Sequence, residues 1–313
     1  MISPLHVVTS IFNPRRFRSR PRLYRDFENY VKHSGAILHT VEMAFGNRPF
    51  EVTLTNNPHH LQFRTHSELW HKERLLNLLV AHVVQQNPDA KYFAWIDPDV
   101  TFANPNWVRE TIEHLQHYHV LQLFETCHNL SPDSRVISSQ HGIVAGWEAN
   151  GTIAWDWPPK HHYGFYYHPG YAWAATRWAL DELGGLFDIC VAGSGDTHMA
   201  GALCGNWKFG FPAELEGTSY GRALQAWARR ADASIERNVG HLPGSLFHRW
   251  HGRAGDRGYD LRWRILIDQD FDPVFDIQND IDGCLAWTGN NPGLQAEIRG
   301  SLARRNEDST DCS

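Results

Sequence analysis

The sequence predicts an α/β fold: a mostly parallel sheet flanked by helices on both faces. Three observations predict it. Short apolar runs with little polar alternation, at Leu5–Phe12 and 91–96, read as strands buried on both sides. Stretches with apolar residues at helical spacing, most clearly at 70–86, alternate with them. The chain has 313 residues, 42% of them hydrophobic, which is enough for a sizeable core and excludes wholesale disorder.

Each element follows from local pattern. The opening strand is stopped by Asn13-Pro14. Leu23, Phe27, Tyr30 and Val31 share a helical face over 22–34, and Gly35 ends it. A strand follows at 36–44, then a loop through Pro49. Leu75, Leu76, Leu79, Val80 and Val83 give 70–86 an apolar face that ends at Asn87-Pro88-Asp89. After the strand at 91–96, Asn104-Pro-Asn-Trp107 starts a helix running to about Tyr118, and 120–124 is a further strand. Residues 125–170 break the rhythm. They read as a long functional loop rich in aromatics: Trp147, Trp155, Trp157, Tyr163, Tyr166 and Tyr167. Helical order is expected again over 171–205. From about residue 255, helices are expected to wrap the domain. The division is a main domain at 1–254 and a C-terminal helical extension and tail at 255–313, frayed over 306–313.

Charge and cysteine usage narrow the class. Twenty-nine Lys and Arg against 35 Asp and Glu leave a net charge of −6. Six arginines (Arg15, Arg16, Arg18, Arg20, Arg22 and Arg25) and no acid lie in the first 25 residues. Such a patch on an otherwise acidic chain suggests a local anion site or a solvated face, not a broad polyanion-binding surface. No apolar run approaches the ~18 residues of a membrane span, and the start lacks the pattern of a signal peptide. Five cysteines without a C-x-x-C pair argue against a disulfide scaffold or structural zinc and suit a cytoplasmic protein.

The sharpest chemical feature is Trp95-Ile96-Asp97-Pro98-Asp99-Val100. It delivers two carboxylates to the C-terminal end of a strand, where open α/β sheets bind ligands. Asp97 and Asp99 there could share a divalent cation with diphosphate oxygens, although a bare D-x-D is also a common turn. Asp196, in Ala192-Gly-Ser-Gly-Asp-Thr-His198, is either a general base or a helix N-cap. His248 and His251 are either metal ligands or packed imidazoles. Tyr171 and Trp173 offer flat faces to a sugar or a base, or simply fill the core. The histidines of His114-Leu-Gln-His-Tyr-His119 read as a solvated helix end.

Taken in order, these residues give a chain that resembles nucleotide-sugar-dependent glycosyltransferases of the GT-A fold, especially family-2-like members of bacteria and phages. The resemblance rests on Val7-Val-Thr-Ser10, Trp70-His-Lys-Glu-Arg-Leu-Leu-Asn77, Trp95-Ile-Asp-Pro-Asp99, Gly170-Tyr-Ala-Trp173, Gly193-Ser-Gly-Asp196 and His248-Arg-Trp-His251. These run in the family's order across about residues 5–255. The resemblance implies a UDP-sugar donor, with Thr9 and Ser10 beside the base and ribose. It places Lys72 and Arg74 at the diphosphate or against neighbouring acids. Mn²⁺ or Mg²⁺ would be held by Asp97 and Asp99. His248 or His251 would be the third ligand, and an imidazole favours Mn²⁺. Asp196 would be the base of an inverting single displacement, with His198 as its backup and Tyr171 and Trp173 at the sugar.

Arg15 and its neighbours would grip a nucleotide phosphate or the backbone of a nucleic-acid acceptor. Acceptor candidates are a hydroxymethylated pyrimidine in phage DNA, everted into a pocket, and a glycan or small molecule. Two other classes compete. A metal-dependent nucleotidyltransferase or phosphohydrolase is disfavoured by the lack of a P-loop, an H-E-x-x-H or a second acidic cluster. A silent nucleotide-sugar-binding protein is disfavoured by the intact Asp97, Asp99 and Asp196.

Overall fold

A computed structural model describes residues 3–153 and 167–311. Trp155, Trp157, Tyr163 and Tyr166 of the expected aromatic loop, and Cys312, lie outside the described residues. β1 (Leu5–Phe12) is buried along nearly its whole length because it lies inside the main sheet. α1 (Ser19–Lys32) turns Leu23, Phe27 and Val31 inward and returns the chain to β2 (Ile37–Phe45), parallel to β1 with His6 opposite Ile37. β3 (His60–Thr65) is the parallel edge strand beside β2. α2 (Lys72–Gln86) buries Leu75, Leu76, Leu79 and Val83, and β4 (Tyr92–Ile96) then pairs with the other side of β1.

The Asp97-Pro-Asp99 turn leads to β5 (Val100–Phe102), α3 (Trp107–His114) and β6 (Val120–Gln122). β7 (Thr126–Leu130) and β8 (Val136–His141) form a hairpin, followed by α4 (Ile143–Asn150). β9 (Ala172–Thr176) leads into α5 (Arg177–Leu183), α6 (Gly195–Leu203), α7 (Ala213–Glu216) and α8 (Ser219–Ser234). β10 (Val239–His241) and β11 (Ser245–His248) precede α9 (Tyr259–Asp268) and α10 (Pro273–Asp276). The β12 (Ile277–Asn279) and β13 (Leu285–Trp287) hairpin and α11 (Pro292–Arg304) complete the order.

The main sheet has the order β10-β6-β9-β4-β1-β2-β3. Every strand runs one way except β9, which is antiparallel to both neighbours. A second sheet, β5-β11-β7-β8, is entered directly from the end of β4. The expected α/β architecture with a mostly parallel sheet is therefore present. Trp263, Ile265 and Leu266 of α9 and Leu294, Ile298 and Leu302 of α11 belong to the same apolar cluster as Leu75 and Leu79 of α2. Among the described residues, no helix is long and apolar enough to cross a membrane.

Three expectations are corrected. The stretch 171–205 does not begin as helix: Ala172-Trp-Ala-Ala-Thr176 is a strand inside the sheet. Buried on both faces and rich in alanine, it shows no alternation to mark it. The region 125–170 is not all loop, since it contains β7, β8 and α4. Asn129 to Val136 is a hairpin around Pro132, and β8 is mostly exposed, so it carries no apolar signal. The segment 306–311 is not frayed either, because the side chain of Glu307 is fully enclosed.

Candidate metal centre and active site

The pairing of β5 with β11 assembles the site. It sets His248 opposite Val100, the residue after Asp99, and the Arg249 N–H donates to the Asp99 carbonyl at 2.8 Å. His251, three residues on, then reaches the same carboxylate. Its Nε2 lies 3.0 Å from Asp99 Oδ2 and 3.0 Å from His248 Nε2, and His248 Nε2 lies 3.9 Å from the same oxygen. Among the described residues, these three offer ligand atoms within 4.8 Å of one another.

The donor set fits a divalent cation. Asp99 Oδ1 is buried without a hydrogen-bond partner, an arrangement that costs free energy unless something else satisfies it. His248 Nδ1 lies 2.8 Å from Asn129 Oδ1, which accepts its N–H and leaves the Nε2 lone pair facing the cluster. Burial lowers both imidazoles below their usual range, keeping them neutral as ligation requires. Burial opposes ionisation of Asp99, but its contact with His251 and the nearby Arg257 guanidinium hold its carboxyl below the usual range. Arg257 Nη2 lies 3.1 Å from His251 Nε2 and so competes with a cation for that lone pair.

A second group lies beside the first. Asp97 donates its N–H to the Tyr171 carbonyl at 2.8 Å; its carboxylate is ion-paired with Lys72 at the start of α2, and burial raises its carboxyl above the usual range against the pull of Lys72. Lys72, Glu73, Trp95, Gly170, Tyr171, Trp173 and Asp196 line one narrow crevice. Asp196 sits in the first turn of α6, behind Ser194 in the left-handed region, and its Oδ1 accepts from Thr197 N at 2.8 Å. The link between the two groups is Gly170-Tyr171. A Cβ on Gly170 would stand 2.4 Å from Asp196 Oδ2, and the Tyr171 ring stacks on His248 at 4.5 Å. Gly170→Ala is therefore expected to displace the Asp196 carboxylate and to cost about 1–3 kcal/mol of stability, the usual range for overpacking. Urea midpoints of the variant and the wild type check this, and an unchanged midpoint would refute it.

Glu73 supplies a pH signature. Burial pushes its carboxyl from 4.5 up to about 7, against the pull of Lys72. The folded state thus binds its proton more tightly than the unfolded chain. That contribution to stability is complete below about pH 4.5 and is lost as pH rises through about 7. Relative to Glu73→Gln, the wild type should lose on the order of 3 kcal/mol over that window. Urea midpoints of both proteins at pH 5 and pH 8 measure it, and a difference independent of pH would rule it out.

The remaining predicted residues are distributed as follows. Thr9 is fully buried and donates its hydroxyl to the Ile96 carbonyl at 2.8 Å, so it braces β1 against β4. Ser10 is half-buried farther along β1. Arg74 pairs with Asp188 at 3.1 Å, and Arg15 pairs with Glu68 and donates to the Arg299 carbonyl at 3.1 Å. Both guanidiniums are engaged by protein groups. His198 is fully buried, with Nε2 2.9 Å from the Tyr220 hydroxyl and with Phe211 and Trp263 around it. Burial pushes it down to about 3, so the structure places it in an aromatic cage instead of the crevice. Trp173 donates from Nε1 to the Pro169 carbonyl at 2.8 Å, and its ring lies parallel to Trp95.

Several residues were not visible in the sequence. Arg257, Arg262 and Arg305 are buried, the last two with their guanidiniums over the Trp70 ring at 5.7 and 5.1 Å. Burial and the neighbouring Arg305 and Arg257 lower Arg262 to about 10, against Tyr259 and Asp196. Arg305 is ion-paired with Glu307 at 2.6 Å, and Arg257 donates to the Tyr259 hydroxyl at 3.1 Å. No periodicity or motif marks these arginines, since they converge only through tertiary packing. Asn129, which orients His248, sat inside the stretch read as loop.

These groups define an α/β protein with a candidate cation site and a basic cluster at the C-terminal end of a central strand. No protein-family model matches the chain, and no curated protein matches it in sequence. Solved structures that match include a Drosophila β-1,4-galactosyltransferase 7 in complex with manganese, UDP-Gal and xylobiose. It is 13% identical, with 63% of this chain and 59% of that chain covered and a TM-score of 0.30. This chain thus spans less than two thirds of that protein's length. A nucleotide-diphospho-sugar transferase of Desulfovibrio desulfuricans is 12% identical over 86% of this chain and 95% of that chain, with a TM-score of 0.30. A glycosyltransferase involved in glycosylating the major capsid of PBCV-1 is 10% identical over 78% and 92%, again with a TM-score of 0.30. Likeness at this level assigns neither ligand nor activity to this chain.

Proposed function

We propose that the chain is a metal-dependent transferase that moves a sugar from a nucleotide-sugar, a UDP-sugar first, to an acceptor hydroxyl with inversion. One observation carries this reading: Asp99, His248 and His251 converge at the end of β4, joined through Gly170-Tyr171 to the Asp196 carboxylate. Mn²⁺ suits two imidazoles and a carboxylate better than Mg²⁺. When bound, the cation supplies positive charge to the leaving diphosphate.

The chain's own residues do the rest. Asp196 takes the proton of the acceptor hydroxyl as its oxygen attacks the anomeric carbon and the bond to the diphosphate breaks. Lys72, held near by Asp97, and the buried guanidiniums of Arg257 and Arg262 stabilise the charge that builds on the departing nucleotide. The parallel Trp95 and Trp173 rings, both buried, form the apolar side of the crevice.

For the acceptor, hydroxymethylpyrimidine DNA is tested first. Arg16, Arg18, Arg22 and Arg25 remain exposed, and Arg18 and Arg22 line a cleft of about 660 Å³ with Arg249 and Trp250, where Asp26, Glu307 and Asp308 balance the arginines. The experiment is nucleotide release from UDP- and GDP-sugars with Mn²⁺ or EDTA, with and without DNA containing 5-hydroxymethylcytosine. Release that needs metal and rises with the modified DNA supports both donor and acceptor. Metal-dependent release indifferent to DNA keeps the transferase and directs the acceptor to a glycan or small molecule. No release from any donor counts against the transferase.

A further inference from the structure

We propose that Glu307 is a positioning residue for the cation site, so that cation binding and docking of the C-terminal segment are coupled. This rests on reading Asp99, His248 and His251 as that site. The Glu307 side chain is fully enclosed. Arg20 forks onto it, Nε to Oε2 at 2.6 Å and Nη2 to Oε1 at 2.7 Å, and Arg305 Nε donates to Oε1 at 2.6 Å. On its other side, Oε2 stands 3.9 Å from His251 Nδ1, the ring nitrogen opposite the one that faces Asp99.

The backbone around Glu307 is bolted to the same loop. Gly252, next to His251, has φ +87, and a Cβ there would meet Asn306 O at 2.7 Å and the Glu307 Cα at 3.0 Å. Trp250 Nε1 donates to the Ser309 carbonyl. The Asp308 carboxylate accepts the Arg18 and Ser19 N–H groups at 2.9 and 2.8 Å, satisfying donors at the start of α1. Residues 305–309 therefore clamp the loop that carries His251.

Charge gives the clamp its consequence. Arg20, Arg257 and Arg305 all act on Glu307 or His251, and a divalent cation placed beside them is repelled unless carboxylates offset the guanidiniums. Asp99 is one such carboxylate and Glu307 is the other. Glu307→Gln keeps the shape and removes the charge. Outer-shell partners of metal-bound histidines typically contribute about 10–100-fold in affinity. By reciprocity, a cation that binds better with the segment docked must also hold the segment in place.

The test uses the full chain. Mn²⁺ binding is measured by the EPR signal of the free ion for the wild type, Glu307→Gln and Asp308→Ala, at a temperature where circular dichroism shows all three folded. Hydrogen exchange of amides 305–311 is followed in the wild type and Asp99→Asn, with and without Mn²⁺. The expected result is an affinity about 10–100-fold weaker in Glu307→Gln, a smaller loss in Asp308→Ala, and Mn²⁺-dependent protection of 305–311 in the wild type only. A purely structural role would lower the thermal midpoint and leave Mn²⁺ affinity unchanged. Tight Mn²⁺ binding in the wild type with no change in Glu307→Gln and no protection overturns the coupling and leaves the cation site standing. Absence of Mn²⁺ binding in the wild type overturns the site and the coupling together. Should Glu307→Gln not fold, the exchange arm in the wild type decides alone.

Discussion

Asp99→Asn is expected to abolish Mn²⁺ binding and to lower nucleotide-sugar turnover by about 10³-fold, the rate equivalent of several kcal/mol of lost charge stabilisation. The substitution preserves volume and one carbonyl oxygen but deletes the only anionic donor of the three that converge. His248 and His251 are neutral, so neither of the other two donors offsets a dication, while Arg257 Nη2 already lies 3.1 Å from His251 Nε2. Asp97→Asn gives the contrast. Its carboxylate is committed to Lys72, so Mn²⁺ affinity should fall much less than in Asp99→Asn. EPR titration of both variants, followed by nucleotide-release assays over a range of Mn²⁺, separates them. Undiminished Mn²⁺ binding by Asp99→Asn would remove the cation site as described.

Asp196→Asn is expected to lower kcat by about 10²–10⁴-fold, the usual contribution of a positioned general base, while Mn²⁺ and UDP bind within about twofold of the wild type. The prediction follows from position. Asp196 is half-buried, its Oδ1 is occupied by the Thr197 amide, and Oδ2 faces the small side of Gly170. One oxygen is thus fixed and the other left toward the crevice. An Asn there cannot accept a proton. Single-turnover measurements with excess enzyme distinguish a chemical defect from slow product release, and turnover within tenfold of the wild type would exclude Asp196 as the base.

Much of the frame was legible because it is local. β1, α1, β2, α2 and β4 were readable from apolar spacing and from stops such as Asn13-Pro14 and Asn87-Pro88. The carboxylates after β4 were readable because a strand end needs only its own sequence. β9 was not: Ala172 to Ala175 are buried from both sides of the sheet, so no alternation distinguishes strand from helix. The edge strand β3 is only half-buried, and β5 has three residues, too few to show a period. The candidate site divides the same way. His248 and His251 were visible as a pair, yet their meeting with Asp99 depends on the register of β11 against β5. Thr9, Arg15, Arg74 and His198 were plausible by neighbourhood, and the structure gives each a specific protein partner. Arg257, Arg262, Arg305 and Glu307 carry no motif, since their contacts are made across the whole chain.

Those long-range contacts have a consequence for how the protein acquires and loses its structure over time. Arg20 and Glu307 are separated by 287 residues, and His248 and Asn129 by 119. Closing such loops costs chain entropy before any contact repays it, so these pairs belong to the slow, late part of folding. A cation that recognises only the finished arrangement stabilises the native state without stabilising the barrier that precedes it. Manganese should then leave the refolding rate nearly unchanged and act almost wholly by slowing unfolding. The ion would serve as a latch on lifetime, with little part as a template for assembly.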